Sequence, residues 1–261
     1  MNEKRKYAVS LAILSTLLFA VNYPFLDKVL GESLSTNEYG VAERVIDGDT
    51  VVINGTSVRL LGINSPERKE LYYSEAKIFL EELVLNKTVR IESGKEKYDR
   101  YNRRLAYLHI DNKNVNLELV RNGFANSYFP SGKDIYYNKF KNAWEECIKD
   151  NKNLCEKSAN KCANCIKIEK FDYKHQEVIF TNECSFDCYL NGWKVKDEGR
   201  KNFVFQDFTL RERKDLTLKV GEGENTGSVL YWTGEEYVWT KTGDSLFLRD
   251  NQGKLVLWEN Y

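Results

Sequence analysis

Two short blocks of this chain carry residues whose types and spacing could act on a phosphate ester. The first runs from Val45 to Glu67 as V-I-D-G-D-T-V, a turn, then V-R-L-L-G-I-N-S-P-E. It holds the carboxylates of Asp47 and Asp49, the oxygens of Asn64 and Ser65, the guanidinium of Arg59 and the carboxylate of Glu67. An all-oxygen donor set suits a hard cation better than zinc or copper. A planar guanidinium offers phosphoryl oxygens a fork of donors that lysine cannot mimic. Glu67, set after Pro66 on a rigid turn, is the candidate base or water-orienting group. The second block, Lys97 to Tyr107, reads K-Y-D-R-Y-N-R-R-L-A-Y and supplies Arg103 as a second fork. By itself Asp-Gly-Asp-Thr is also an ordinary turn with side-chain caps. The two blocks together turn the reading towards phosphodiester chemistry.

Elements must hold these groups at one place. The runs Val45–Ile46 with Val51–Ile53, and Val58–Ile63, flank Asn54-Gly55, which predicts a tight hairpin with the polar groups at strand ends. Ala76, Phe79, Leu80, Leu83 and Val84 follow helical spacing, with Ser74 as the expected cap and Asn86 as the stop. Thr88–Glu92 and Leu105–Ile110 read as strands, Val115–Arg121 as a helix stopped by Asn122-Gly123, and Lys133–Lys157 as a long helix. That order fits a small five-stranded OB barrel with helices packed outside. From Ile166 onward short strands alternate with turns, which predicts a β-sandwich of about 95 residues. The expected fold is therefore two domains, an α+β OB-fold barrel and then an all-β Ig-like sandwich.

The blocks V-I-D-G-D-T, R-L-L-G-I-N-S-P-E, D-R-Y-N-R-R-L-A-Y and V-N-L-E-L-V-R-N-G-F-A resemble the staphylococcal (micrococcal) nuclease family in order and spacing. The resemblance spans about ninety residues, and four blocks in register are specific where one is not. It implies the same OB fold, with Arg59, Glu67 and Arg103 catalytic, Asp49, Asn64 and Ser65 binding calcium, and Asp47 just outside that shell. It also implies cleavage of DNA or RNA that leaves 3′-phosphate ends. Arg100, Tyr101 and Tyr128 are expected to edge the substrate groove, where bases stack and phosphates pair without sequence readout. Phe129 is expected at the same edge, although packing of the second helix explains Tyr128 and Phe129 equally well. Many members of that family carry aspartate where this chain has Asn64, which costs the metal one compensating charge. Asn102 stands where glycine is usual, a benign change because Asn tolerates left-handed backbone.

The last half, through L-N-G-W-K-V-K-D (Leu190–Asp197), F-V-F-Q-D-F-T-L (Phe203–Leu210) and V-W-T-K-T-G-D-S-L-F-L-R-D (Val238–Asp250), is similar to lamin-tail domains of exported nucleases. Trp193, Trp232, Trp239 and Trp258 are expected in its core. A cell-surface or polymer ligand would be its natural partner. His109 and His175 lack metal-ligand spacing and read as structural.

Composition sets the bounds. The chain has 261 residues, zero net charge, 42% hydrophobic and 13% aromatic residues, which excludes disorder and gives no global sign of a nucleic-acid binder. Residues 41–161 carry 21 basic and 18 acidic side chains, and residues 166–261 carry 14 and 17, so the phosphate chemistry belongs to the first part. Lys4-Arg5-Lys6 ahead of an apolar run from Tyr7 to Val21 reads as a signal peptide or signal anchor over residues 1–30, with a linker at 31–40. The remainder would then lie outside the cytoplasm, with the barrel at 41–130, a helix and Cys-containing linker at 131–165, and the sandwich at 166–261. Six cysteines in such a chain favour disulfides, although Cys162-x-x-Cys165 with Cys184-x-x-x-Cys188 also approximates a four-thiolate zinc site. A monomeric, calcium-dependent nuclease leads these readings. The alternative is a catalytically weak nucleic-acid-binding barrel with a surface-docking second domain.

Overall fold

Asn54 and Gly55 both adopt positive φ (47° and 74°), the turn that folds β2 (Thr50–Ile53) back onto β3 (Thr56–Leu60) with Val51 opposite Val58. The computed structural model describes residues 38–261 and, ahead of them, Thr16; apart from Thr16 the N-terminal apolar run and most of the linker lie outside the described residues. Residues 39–261 form one compact unit. β1 (Glu38–Asp47) pairs with β2 and, on its other side, with β5 (Thr88–Tyr98), and β3 closes onto β6 (Arg104–Ile110) in parallel, so that β3-β2-β1-β5-β6 makes a five-stranded barrel. β4 (Gly62–Asn64) leaves that barrel and pairs with β8 (Asn126–Tyr128). Between them lie α1 (Tyr73–Val84), β5 (Thr88–Tyr98), β7 (Lys113–Asn114) and α2 (Val115–Arg121). α3 (Tyr137–Asp150) completes the α+β half and buries Phe140, Ala143, Trp144 and Cys147.

Several expectations need correcting. Ser74 lies inside α1; the capping position is Tyr72, in left-handed backbone with no side-chain cap. β5 runs six residues beyond Glu92, because its outer part needs only the pairing Tyr98–Arg104 across an irregular stretch. The long helix is shorter than Lys133–Lys157. It ends where Asn151 turns left-handed, and the Cys147–Cys155 disulfide folds the chain back into a 3-10 turn at Asn153–Cys155. Asn102 is left-handed at φ 60°, as its side chain allows.

The second half is all β. One sheet has the order β16-β15-β10-β9, built from β9 (Ile166–Asp172), β10 (Glu177–Asn182), β15 (Asp215–Val220) and β16 (Val229–Trp232). Another has the order β13-β12-β17-β18, from β12 (Lys194–Lys196), β13 (Asn202–Val204), β17 (Ser245–Arg249) and β18 (Leu255–Asn260). A short pair, β11 (Cys188–Tyr189) with β14 (Thr209–Leu210), sits between them in sequence. Cys162–Cys188 and Cys165–Cys184 are disulfides, so thiolate zinc ligation is not the state described.

Two apolar clusters result. The barrel cluster contains Val51, Val58, Leu60, Ile63, Leu108 and Leu119, and the other contains Trp193, Trp239, Phe180, Phe205 and Leu218. The clusters do not divide at Ile166. Phe247 and Leu255 belong to the barrel cluster, and the Phe247 ring meets Trp144 edge-on at 5.4 Å. Trp258, expected in the sandwich core, packs instead beside Trp144 at 6.5 Å. β17 and β18 thus present one apolar face to α3.

Candidate functional site

Arg59 sits mid-sheet on β3, paired with Thr50 on one side and Leu105 on the other, so strand register fixes where its side chain leaves the barrel. It is only 7% exposed, and a buried guanidinium must spend its donors. Nη1 donates to the carbonyls of Leu60 (2.6 Å) and Ile63 (2.9 Å), Nη2 donates to Asn64 Oδ1 (3.3 Å), and Nε pairs with Asp49 Oδ1 (3.1 Å). The other Asp49 oxygen accepts from Ser65 N (2.9 Å) and Ser65 Oγ (3.0 Å). Asp47 caps the turn by accepting from Asp49 N at 3.1 Å. Gly48 permits the approach, since a Cβ there would stand 2.8 Å from the Cβ atoms of both Ser65 and Ala76. Burial, and then the neighbouring charge of Asp49, holds the Asp47 carboxyl above its ordinary range.

Asp49, Arg59, Asn64 and Ser65 are therefore one hydrogen-bonded cluster, buried at the end of the β2–β3 hairpin. Their oxygens fit a hard cation by donor chemistry. Asp49 would have to exchange its bond to Arg59 for the ion, which would leave the Arg59 Nε free to reach an anionic substrate.

Glu67 follows two residues after Ser65 and is half exposed; its Oε1 is bound by Arg200 Nη2 at 2.7 Å. Arg103 is bound by Asp99, which accepts from its Nε (2.7 Å) and its backbone N (2.9 Å). Bonds from Arg103 and Tyr101 lower the Asp99 carboxyl although burial opposes them. Arg100 and Arg103 both lie over the Tyr101 ring, at 4.7 and 5.5 Å, and that ring is 61% exposed, which makes an open cationic and aromatic edge. Tyr128, on β8 opposite Gly62, is partly covered, and burial followed by the charge of Asp197 raises its hydroxyl. Phe129 is core, edge-on to Phe140 and Tyr137. His109 is buried with Nε2 3.0 Å from Glu92, and His175 pairs with Asp172 on the surface.

The residues that sequence reasoning missed come from the loop between β12 and β13. Asn64 Nδ2 donates to Gly199 O (2.8 Å), and Asn126 Nδ2 donates to Glu198 O (2.8 Å). Phe129 N donates to Glu198 Oε1 (3.0 Å). Asp-Glu-Gly-Arg at 197–200 reads only as a turn, and nothing local announces a partner 135 residues earlier in the chain.

Comparison with known proteins bears on the same region. The family model described as "Staphylococcal nuclease homologue" matches residues 57–157, the span that holds Arg59, Asn64, Ser65, Glu67, Arg103 and Tyr128. A thermonuclease of Staphylococcus intermedius is 32% identical over 127 residues, which cover 45% of this chain and 76% of that protein. A thermonuclease of Staphylococcus hyicus is 28% identical over 155 residues, covering 56% and 90% respectively. An uncharacterized protein of Methanocaldococcus jannaschii is 35% identical over 145 residues, covering 42% and 70%. With a closed five-stranded barrel, an arginine–carboxylate cluster at its hairpin end and relatives matched over most of their length, the chain belongs to the staphylococcal nuclease family.

Proposed function

We propose that this protein is an exported, calcium-dependent nuclease that hydrolyses phosphodiester bonds of DNA and RNA with little sequence preference and leaves 3′-phosphate ends. The single observation that carries the reading is the buried Asp49–Arg59–Asn64–Ser65 cluster with Glu67 two residues further on. A phosphodiester is anionic, so its catalyst must neutralise charge, position water and stabilise a crowded phosphorus centre. A calcium ion held by Asp49, Asn64 and Ser65, with Asp47 behind them, would supply positive charge beside the scissile phosphate. Arg59 and Arg103 would grip phosphoryl oxygens through planar forks, and Glu67 would orient water or take its proton. Arg100, Tyr101 and Tyr128 would guide the strand by charge and stacking.

Export is supported by Lys4-Arg5-Lys6 ahead of the Tyr7–Val21 apolar run, which would be a cleaved signal or a membrane anchor, and by three disulfides. The β-rich second half would be an Ig-like lamin-tail domain with a cell-surface or polymer ligand, and the protein would be a monomer. Incubating the purified chain with plasmid, with calcium and with a chelator, tests the central claim: chelator-sensitive nicking is expected, and none in either condition refutes it.

One observation favours a second reading, a barrel that binds nucleic acid without cutting it. Glu67, the candidate base beside the cluster, is already engaged by Arg200. Oligonucleotide binding that neither needs calcium nor leads to cleavage would select that reading.

A further inference from the structure

Residues 197–201 join β12 to β13 at the edge of their sheet, where Lys196 pairs with Asn202. The loop is pre-shaped by its own bonds. Asp197 N donates to Lys201 O (3.2 Å) and Lys201 N donates back to Asp197 Oδ1 (2.9 Å). Glu198 N reaches Asp244 Oδ1 (3.4 Å), whose carboxylate also accepts from Ser245 N and Thr240 N. Both carboxylate residues of the loop, Asp197 and Glu198, are buried at 7% exposure, which a loose surface turn would not show.

This rigid loop lies on the cluster assigned above to the phosphodiester. Asn64 and Asn126, facing each other across β4 and β8, donate to the carbonyls of Gly199 and Glu198. The Gly199 backbone runs beside Tyr128, where an added Cβ would make ordinary van der Waals contact with Cε2 at 3.5 Å. Arg200 pairs with Glu67, and the flanking Lys196 pairs with Glu70 at 3.0 Å. Each contact removes something that catalysis would use: the free carboxylate of Glu67 and access to Asn64. While the loop is seated, Glu67 is held by Arg200 and Asn64 by the Gly199 carbonyl, so neither is open to a strand and its attacking water.

Resting on the nuclease-site reading, we propose that the 197–201 loop is an inhibitory lid, and that Asn64 is the residue that latches it. An amide at 64 can donate to the Gly199 carbonyl, whereas an ionised aspartate at that position would have no proton to give and would face that oxygen with a negative charge. The departure at 64 thus matches the presence of the loop above it. Substrate must displace the lid, so affinity for a strand is reduced by the fraction of molecules in which the lid is closed.

The test uses the full chain and its variants Arg200→Ala and Arg200→Glu, with a short fluorescent single-stranded oligodeoxynucleotide as probe, read by anisotropy and by cleavage. If the loop is a lid, both substitutions tighten probe binding about tenfold or more, although each removes positive charge from a surface that meets an anion. Equal or weaker binding by the variants overturns the proposal and makes Arg200 a strand contact or a bystander. As a second measurement, amide hydrogen exchange of residues 197–201 should speed up when probe binds the unaltered protein; slower exchange means the loop clamps the strand, and the lid fails. Cleavage reports the underlying reading separately. Tightened binding with no chelator-sensitive cleavage in any of the three proteins sinks the hydrolase assignment and leaves the lid standing.

Discussion

Replacing Asn64 by aspartate restores the carboxylate usual in the family, and two opposed effects can be sized. Without metal, the variant loses the 2.8 Å donation to Gly199 O and sets an anionic oxygen against that carbonyl in a site only 2% exposed. Loss of one bond with a buried acceptor left unpaired costs about 1–3 kcal/mol. The new charge gains little from Arg59, whose Nε is already neutralised by Asp49 at 3.1 Å. For a unit of this size the melting temperature should fall by roughly 2–12 °C. With calcium, one added charge contact is worth about 1–4 kcal/mol, or about 5-fold to 10³-fold in the calcium dissociation constant. Thermal melts across a calcium titration measure both, because stabilisation grows with the logarithm of free ligand over its dissociation constant. The expected curves cross: Asn64→Asp is the less stable protein without calcium and gains more on addition. An unchanged melting temperature without metal, together with an unchanged calcium midpoint, would refute the assignment of Asn64 as both latch and ligand.

Other outcomes follow from the same geometry. Arg59→Lys leaves four acceptors facing three donors and removes the planar fork, so plasmid cleavage should fall by about 10²–10³-fold in kcat while the fold persists; near-unchanged kcat would remove Arg59 from the chemistry. Burial, and for Asp197 then the charge of Asp244, raises the Asp197 carboxyl to about 7 and burial raises that of Asp244 to about 6. The folded state then holds these protons more tightly than the unfolded chain, so the contribution of these two groups to stability is greatest at acid pH and declines by a few kcal/mol, to order of magnitude, as pH rises through about 4 to 7. Melts from pH 4 to 8 should show that decline in the unaltered protein and a flatter curve in Asp244→Asn. A chain truncated after Cys165 loses Phe247, Leu255 and Trp258 from the barrel cluster and bares Trp144. Three lost apolar side chains at about 2–5 kcal/mol each rival the whole stability of a domain, so the fragment should melt without cooperativity; a sharp transition would show that the barrel stands alone.

The barrel and the polar cluster at its hairpin end were legible in the chain itself. Asn54-Gly55 dictates a hairpin because only a turn with two positive φ values matches strand twist, and alternation of Val51, Ile53, Val58 and Leu60 decides which faces turn inward. Asp49, Arg59, Asn64 and Ser65 lie within seventeen residues joined by that turn, so local geometry was enough to bring them together. The lid was not legible, nor was the packing of Trp258 on the barrel side. Both depend on where a sheet edge comes to rest against a surface more than a hundred residues away in sequence, and no periodicity records that choice. Sequence determined which groups could meet a phosphate; only the tertiary structure decided that Arg200 and the Gly199 carbonyl meet them first, because long-range docking is selected by the burial of whole faces rather than by any residue's neighbours along the chain.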